Sequence, residues 1–272
     1  SMRLRMLAAR DRIGALGRKV GPGSCSSLYS ASRRWHVGRL RREGAMRRRH
    51  GIEVDLLDAA GLQTRFGFHA PAALLSRLGA RVDPYRLAQQ LALQLHRGGS
   101  QVADHVEVEY LEPRTRDVQV RLAGGTRIRA RHVVMACGYE TQRWLARPVA
   151  RNRSSYAFVT RPLHDALPAW MTRTLLWETA RPYLYIRSTD EGRLLVGGED
   201  DAIDIPARRD RKVMAKAKTL ASRANGLFPE LPLEPDFAWA GTFAETADGL
   251  PWFGADPQWG PRVLFAMAYG GN

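Results

Sequence analysis

Aromatic side chains and two arginines lie near one another in the second half of the sequence. The aromatic residues are Trp177, Tyr183, Tyr185, Trp239 and Trp252. Together they could supply an apolar wall with polar tips. Arg181 and Arg187 flank the two tyrosines, and a guanidinium can hold a carboxylate through two parallel hydrogen bonds. The residues alone leave two interpretations open, a binding site for a small carboxylate and the aromatic core of a sandwich-like sheet.

A second feature is the segment 237–254, FAWAGTFAETADGLPWFG. It begins as an aromatic strand and breaks into a polar turn at Thr246–Gly249. Asp-Gly is a turn signal, and Pro251 is incompatible with an ordinary central strand. Packing alone does not require this pattern, which favours a place where a flat cofactor or its substrate meets the protein.

The sequence lacks the residue patterns that hydrolytic or metal-dependent catalysis would need. The sequence contains no G-x-S-x-G motif. Its seven histidines are scattered without the i, i+4 spacing of a metal site, which is typical of surface or structural histidines. Cys137 follows an apolar strand and is expected to be a small buried thiol. The acids Glu199-Asp200-Asp201 are expected to form a solvated loop rather than a metal site, so neither a catalytic side chain nor a metal ligand is predicted.

Nucleotide-binding fingerprints are also missing. Neither G-x-G-x-x-G nor a P-loop occurs, and the glycines at positions 14, 17, 21 and 23 do not have the required spacing. The sequence therefore contains no recognisable cradle for a pyrophosphate.

Positive charge is concentrated at the start of the chain. The net charge is +15, and residues 1–50 alone carry +12, because their only acids are Asp11 and Glu43. Arginine-rich helices can bind phosphates or anionic lipids. A solvated helical face is the favoured interpretation here, since only Tyr29 and Trp35 could stack on bases. Nucleic-acid binding is kept as a third hypothesis for the segment.

The composition and the two cysteines indicate the cellular environment that we expect for this protein. The 272 residues are 44% hydrophobic and 25% charged, which is ordinary for a globular protein. Cys25 and Cys137 form no CxxC motif, which favours a reducing, cytoplasmic environment. No apolar run is long enough to span a membrane, so we expect no membrane partner.

The local patterns predict elements that would position these residues. A basic helix is expected over 33–50, with Gly51 as its stop. Asp83-Pro84 predicts the start of another helix, whose apolar stripe (Leu87, Leu91, Leu95) should be core. Ile52–Leu57 is expected as a strand, followed by a loop over 65–71.

The later part of the chain is richer in strands. Residues 106–130 predict a three-stranded meander, with a hairpin at Gly124-Gly125. The continuous apolar run 133–138 predicts a strand buried on both faces of a parallel sheet. A hairpin is expected over 183–198 and an amphipathic helix over 207–228. The fold class predicted is α+β (mixed α/β), with an antiparallel-rich sheet flanked by helices.

Several segments, in this order and spacing, resemble the FAD-dependent amine and amino-acid oxidoreductases of the D-amino-acid oxidase, glycine oxidase and sarcosine oxidase type. The matching pieces are Gly79-Ala80-Arg81-Val82-Asp83-Pro84, the meander, His132–Gly138, Leu176-Trp177-Glu178-Thr179, the Tyr183–Gly198 hairpin with Glu199-Asp200, Trp239–Thr242, Asp248-Gly249-Leu250-Pro251 and Tyr269-Gly270-Gly271-Asn272. The resemblance covers roughly residues 26 to 272.

The resemblance implies FAD as cofactor and four segments. Residues 1–25 form a basic segment that is not part of the resemblance. Residues 26–150 and 248–272 would belong partly to the FAD-binding domain, and 151–247 to the substrate domain. The family's N-terminal dinucleotide-binding unit and its C-terminal end have no counterpart, so the chain is expected to be truncated at both ends and to bind FAD weakly. A purified protein that is yellow with near-stoichiometric flavin would contradict that expectation.

The resemblance also assigns residues to the cofactor and the substrate. Val106 would lie near the adenine, and Ala136 and Gly138 near the phosphate and ribityl portion. The loops at Gly241, Asp248-Gly249 and Gly270-Gly271 would approach the isoalloxazine. Tyr183, Tyr185 and Trp239 would line the substrate pocket, and Arg181 or Arg187 would bind its carboxylate.

The implied reaction is hydride transfer from the Cα–H of a neutral amine to flavin N5, followed by hydrolysis of the imine. The cofactor carries the redox chemistry, so no acid–base residue is required. The alternative hypothesis is a non-catalytic module that binds a small anion or a protein, through a sheet face left uncovered, by which copies of the chain could also associate.

Overall fold

Strands dominate the architecture. The computed structural model describes Asp11 and residues 23–267. The strands are β1 (Gly23–Ser30), β2 (Val54–Asp58), β3 (Ala72–Arg81), β4 (Val108–Pro113), β5 (Val118–Leu122), β6 (Arg127–Ala130), β7 (Val133–Met135), β8 (Arg151–Val159), β9 (Thr174–Glu178), β10 (Leu184–Ser188), β11 (Leu194–Asp201), β12 (Phe237–Glu245), β13 (Trp252–Ala255) and β14 (Val263–Met267). The helices are α1 (Val37–Arg49), α2 (Ala59–Phe66), α3 (Pro84–Arg97), α4 (Pro206–Asp210) and α5 (Val213–Leu227).

Eight strands form one large sheet in the order β12-β8-β11-β10-β9-β1-β3-β2. The pair β1–β9 is parallel, whereas β10 is antiparallel to both β9 and β11. Side chains alternate between the two faces of a strand, and Leu184 and Ile186 of β10 face the main hydrophobic core. Ala217 and Leu220 of α5 lie in the same core, so α5 covers this face. The predicted α+β class with an antiparallel-rich sheet is confirmed.

Helix α1 packs through a narrow buried strip. Leu40 and Gly44 are its buried residues, and Leu40 belongs to a small cluster with Tyr29 of β1 and Leu74 of β3. A Cβ atom built on Gly44 would lie 2.7 Å from Cδ2 of Leu74. The glycine that weakens α1 as an isolated helix is therefore the residue that allows α1 to approach β3.

We expect Gly44→Ala to lower the free energy of unfolding by about 1–3 kcal/mol, because the new methyl group overpacks the contact with Leu74. Gly38 is the matched control, since its built Cβ meets only a guanidinium nitrogen of Arg42 at 3.9 Å. Gly38→Ala should be neutral or stabilising by up to about 1 kcal/mol. Urea unfolding of both variants measures the difference, and equal effects would contradict the packing argument.

The sequence patterns predicted helix α3 but did not predict helix α2. Asp83 caps α3 as predicted, because its Oδ1 accepts a hydrogen bond from the Arg86 N–H at 3.0 Å. The apolar stripe of α3 is not core, however: no residue of α3 is buried, and Leu95 is 55% exposed. Helix α2 was not predicted, although Asp58 caps its start and Gly67 ends it at φ 73°.

Two smaller sheets complete the fold. The predicted meander is confirmed as β4-β5-β6, with both hairpin glycines at φ 88°. The other sheet has the order β13-β14-β7, and β7 pairs with β14 in parallel, as expected for that strand. The prediction that β7 is buried on both faces is wrong. Met135 is buried, but Val134 is 60% exposed, because nothing in the described part of the chain covers that face.

The chain divides into two compact units. The first unit comprises Ser1–Ser100, Tyr156–Asp200 and Asp210–Ala240, and the second comprises Gln101–Ser155, Asp201–Arg209 and Gly241–Asn272. The helix predicted over 207–228 is split into α4 and α5 where the chain passes from the second unit to the first. Within residues 23–267, no helix combines the length and the apolar character needed to cross a membrane.

Candidate functional site

A row of aromatic side chains crosses four strands of the large sheet in the first unit. Tyr29 pairs with Trp177, Trp177 with Tyr185, and Tyr185 with Gly197. These four residues, here called the aromatic row, lie on the face opposite to α5, because Leu184 and Ile186 occupy the α5 face. The rings of Tyr29 and Trp177 stack with centroids 3.9 Å apart, and Trp177 Nε1 donates a hydrogen bond to Ser27 Oγ at 2.9 Å.

Two glycines of β11 determine how the row ends. A Cβ built on Gly197 would overlap the ring and hydroxyl of Tyr185, so the tyrosine ring lies directly across the Gly197 backbone. Gly198 has φ 134°, and a Cβ there would collide with the carbonyl oxygen of Tyr183. Both positions therefore require glycine, one for a close approach and the other for its backbone conformation.

Arg187 lies two residues beyond Tyr185 on the same face of β10. It lines a cavity of about 180 Å³ together with Arg81, Arg86 and three acids, which are Asp83, Asp190 and Glu191. Among the described residues, Arg187 has no hydrogen-bond or ion-pair partner, although its side chain is half-buried. A half-buried cation without a counter-charge is suited to bind an anion from outside the protein.

The acids in that cavity already have partners. Asp190 pairs with Arg81 at 2.6 Å, and Asp83 lies 3.6 Å from the Nε of Arg86. The Thr189 side chain, a backbone hydrogen bond of Glu191 itself and, more weakly, Arg86 lower the pKa of Glu191. In the described part of the chain, Arg187 is thus the arginine of this lining without an ion pair, and Glu191 is the acid without one.

The other predicted substrate residues are placed differently. Tyr183 lies beside Tyr185 with ring centroids 5.8 Å apart, and the guanidinium of exposed Arg181 lies 5.1 Å above the Tyr183 ring. Trp239 is 42% exposed on β12, and β8 and β11 separate that strand from β10. Three strand spacings make roughly 14 Å, so Trp239 does not contact the tyrosines. Trp252 packs against Phe265 in the second unit instead.

An ion-pair network supports the hairpin that carries the row. Arg223 of α5 pairs with both Glu199 and Glu178, and Lys216 Nζ lies 3.2 Å from Glu199 Oε2. Glu199 has φ 54°, a left-handed conformation that these contacts hold. The prediction of a solvated acidic loop is wrong for this residue. Glu199 belongs to β11 and its side chain is only 13% exposed, because α5 covers it with two cations.

The predicted cofactor residues that the structure describes lie in the second unit. Val106 lies two residues before the start of β4 and is 49% exposed. Ala136 follows the end of β7, and Gly138 begins a 3-10 turn at φ 60°. Gly241 is exposed on β12, and Gly249 follows Asp248 in the turn after it, at φ 71°. Gly270 and Gly271 lie outside the described residues.

Open space is the shared property of these glycines. A Cβ built at Gly138, Gly241 or Gly249 would meet no atom within 4 Å. The turn at Asp248 is ordered by its own hydrogen bonds: its Oδ1 accepts from the Leu250 N–H at 3.0 Å. That bond and the Thr246 side chain lower the pKa of Asp248. The carboxylate therefore shapes the loop rather than pointing to a proton-transfer role.

The two cysteines and the possible metal ligands offer no further candidate site among the described residues. Cys137 is exposed, so the prediction of a buried thiol is wrong. It lies beyond the end of β7, where the described residues leave the chain open. Cys25 is the buried cysteine, and burial raises the pKa of its thiol despite the opposing charge of Arg81. Among the described residues, no three His, Cys, Asp or Glu side chains come together as a metal site requires.

Comparison with known proteins identifies the family. The model of the family described as FAD dependent oxidoreductase (DAO) matches residues 2–272. The chain belongs to this family. A search of curated protein sequences returned no match. Membership makes the chain an FAD-dependent oxidoreductase, which confirms the predicted cofactor and enzyme class.

Solved structures share the fold at low sequence identity. Glycine oxidase from Geobacillus kaustophilus has a TM-score of 0.81 at 20% identity, over 98% of this chain and 72% of that one. L-proline dehydrogenase from P. horikoshii has a TM-score of 0.81 at 14% identity, over 97% and 73%. NikD, an unusual amino acid oxidase essential for nikkomycin biosynthesis, has a TM-score of 0.80 at 19% identity, over 97% and 73%.

Sequence reasoning missed two members of the aromatic row. Tyr29 meets Trp177 only because β1 and β9 pair in parallel across about 150 positions of sequence, and no local pattern predicts that pairing. Gly197 carried a usable signal. A Gly-Gly pair inside an otherwise apolar strand indicates a close approach of another group, which here is the Tyr185 ring.

Proposed function

We propose that this FAD-dependent oxidoreductase oxidises the C–N bond of an amino acid, with Arg187 binding the substrate carboxylate. The observation that carries the proposal is that half-buried Arg187 has no partner among the described residues and lies two positions from Tyr185 on the same face of β10. The names of the structural neighbours, among them a glycine oxidase and an amino acid oxidase, support a substrate of this class.

Arg187 is a better candidate than Arg181 for the carboxylate. The guanidinium of Arg181 lies over the Tyr183 ring and donates to the Ala180 carbonyl oxygen at 3.0 Å. Arg187 retains its full fork of donors, which matches the geometry of a carboxylate. The cavity of about 180 Å³ that Arg187 lines is smaller than pockets for drug-sized ligands, so it suits a small ligand.

The aromatic row would orient the substrate and exclude water. Tyr185 lies two residues from Arg187 on the same face of β10, and Gly197 lets the Tyr185 ring lie flat on the sheet. Tyr29 and Trp177 stack beyond it, where Tyr29 shares a buried cluster with Leu40 of α1. An apolar wall lowers the local dielectric constant and strengthens the hydrogen bonds between Arg187 and a carboxylate. It also favours the neutral form of a bound amine, since burial disfavours its charged form. Trp239 would contribute to the outer part of this face.

The backbone of the second unit fits a flat cofactor. Gly138, Gly241 and Gly249 leave open space in front of the main chain, and Ala136 is a small residue at the carboxyl end of parallel β7, where ligands bind in α/β sheets. Val106, Asp248, Gly270 and Gly271 complete the set that we assign to this role. FAD, when bound, supplies the hydride-accepting ring. The protein residues hold the two partners and need move no proton themselves.

The proposal is tested by product analysis with FAD in excess and a dye as electron acceptor. We expect an amino acid and water to yield the 2-oxo acid and ammonia in equal amounts, while the dye takes up two electrons. The matching amine without a carboxylate should react far more slowly. Oxidation of the matching 2-hydroxy acid with the amino acid left untouched would refute the assignment. Excess FAD is used because we expect weak retention without a dinucleotide fingerprint.

Two further inferences concern the cellular location of the protein and its self-association. We infer a cytoplasmic location, supported by Cys25 and Cys137 both being free thiols.

We also infer that copies of the chain associate through the face of the β13-β14-β7 sheet on which exposed Val134 and Leu264 pair. Size-exclusion chromatography should show an oligomer that Val134→Thr weakens, and a clean monomer at high concentration would rule out the association.

A further inference from the structure

The outer side of α1 and the 3-10 turn before it form a strongly basic surface. Residues 33–49 contain eight arginines and a single acid, Glu43. Glu43 pairs with Arg47 at 2.9 Å, which removes one of the charges. Arg39, Arg42 and Arg49 are exposed and have no ion-pair partner in the described part of the chain. Their charge is much larger than solubility requires.

Two large apolar side chains lie among these arginines. Trp35 is 72% exposed and Met46 is 51% exposed. Successive residues of a helix are about 100° apart, so Arg42 and Met46 of α1 point away from the buried strip at Leu40 and Gly44. Trp35 lies in the 3-10 turn before α1 and is the more exposed of the two apolar side chains. Arg39 and Arg49 lie close to the same line. The helix therefore presents one outward ridge that combines guanidinium groups with apolar tips.

The spacing along the ridge fits a flat surface. Trp35 and Met46 are eleven positions apart, which corresponds to roughly 16 Å along a helix. The arginines lie between and beside them, and Arg33 lies 5.0 Å over the Trp35 ring. A helix lying in the plane of a bilayer would place both apolar tips at the interface and the guanidinium groups at the phosphates.

We propose that this ridge binds anionic lipid surfaces, as a peripheral contact that needs no spanning segment. Tryptophan is favoured at the boundary between headgroups and acyl chains, and arginine is attracted to an anionic leaflet. Single-stranded nucleic acid is bound instead by several aromatics along a groove, whereas residues 33–49 contain one aromatic, Trp35, at the end of a convex helix. This ridge revises our expectation that the protein has no membrane partner.

The test is co-sedimentation of the full chain with phosphatidylcholine vesicles that contain or lack phosphatidylserine. We expect binding only to the anionic vesicles, with strong weakening at high salt. Each guanidinium near an anionic leaflet contributes about fivefold, so the triple variant Arg39→Gln, Arg42→Gln and Arg49→Gln should bind about a hundredfold more weakly. Trp35→Ala should weaken binding severalfold without changing the charge.

A matched triple variant controls for net charge. Arg116, Arg127 and Arg173 are also exposed and lie outside the ridge, and replacing all three by Gln should leave binding within about twofold. Circular dichroism checks that each variant is folded. Three outcomes would overturn the proposal: absence of binding to anionic vesicles, equal loss in both triple variants, or tighter binding to single-stranded DNA that Trp35→Ala leaves unchanged.

Discussion

Replacing Arg223 by methionine is expected to lower the free energy of unfolding of the first unit by about 3–5 kcal/mol. The Arg223 side chain is 27% exposed and joins two carboxylates, Glu178 of β9 and Glu199 of β11, which are each 13% exposed. Methionine fills a similar volume but leaves two poorly solvated negative charges with only Lys216 nearby. The left-handed backbone of Glu199 would lose one of the contacts that hold it.

Urea unfolding followed by tryptophan fluorescence measures this effect. Lys218→Met on the exposed side of α5 is the matched control and should change stability by less than about 0.5 kcal/mol. Adding Glu199→Gln to Arg223→Met should recover part of the loss, because the amide removes one unpaired charge. Similar losses for Arg223→Met and Lys218→Met would show that the network contributes nothing beyond an exposed ion pair.

The second large effect is expected at Arg187. Removing one partner of a desolvated charge pair costs about 2–5 kcal/mol, so Arg187→Met should reduce kcat/KM for amino acids by roughly 30- to 4,000-fold. The loss should appear mainly in KM, because the carboxylate keeps its charge throughout the reaction and is bound equally in the ground and transition states. Arg187→Lys keeps the charge without the fork and should be intermediate.

Arg181→Met is the control, since the two arginines are the competing candidates for one role. We expect less than a threefold change there, because the Arg181 guanidinium is already engaged by the Tyr183 ring. The matching amine substrate should be insensitive to Arg187→Met. Steady-state kinetics with FAD in excess gives all of these values. A large loss for Arg181→Met with none for Arg187→Met would transfer the role to Arg181.

Local signals in the sequence predicted much of the fold. Asp83-Pro84 marked the start of α3, and Gly124-Gly125 marked the turn of the meander. Alternation along β10 separated Leu184 and Ile186 from Tyr185 and Arg187 correctly. These features depend on contacts between residues that are near in sequence, so a single chain segment contains the information.

The failures come from contacts between distant segments or from assumptions about burial. The apolar run of β7 predicts burial on both faces, and the apolar stripe of α3 predicts core packing, yet Val134 and Leu95 are exposed. The sequence predicts a solvated loop for Glu199. The prediction fails because the cations that cover Glu199, Lys216 and Arg223, lie on α5, distant in sequence. The aromatic row depends on the pairing of β1 with β9, which short-range patterns do not encode.

Part of the candidate site was nevertheless visible beforehand. Tyr183, Tyr185 and Arg181 do come together, and Arg187 lies on the same face of the hairpin. Trp239 does not join them, because strand order rather than sequence distance sets its position. Family resemblance named FAD, which no composition or spacing pattern in this chain could have done, since the usual glycine fingerprint is missing.

The most direct test of the account is an anaerobic spectrum of the protein with FAD and an amino acid. Binding of FAD is first verified by fluorescence polarisation, so that a negative result can be interpreted. We expect amino acids to bleach the visible band of the bound flavin, whereas matching amines without a carboxylate should do so far more slowly. A bound flavin that stays fully oxidised with every amino acid would contradict the account.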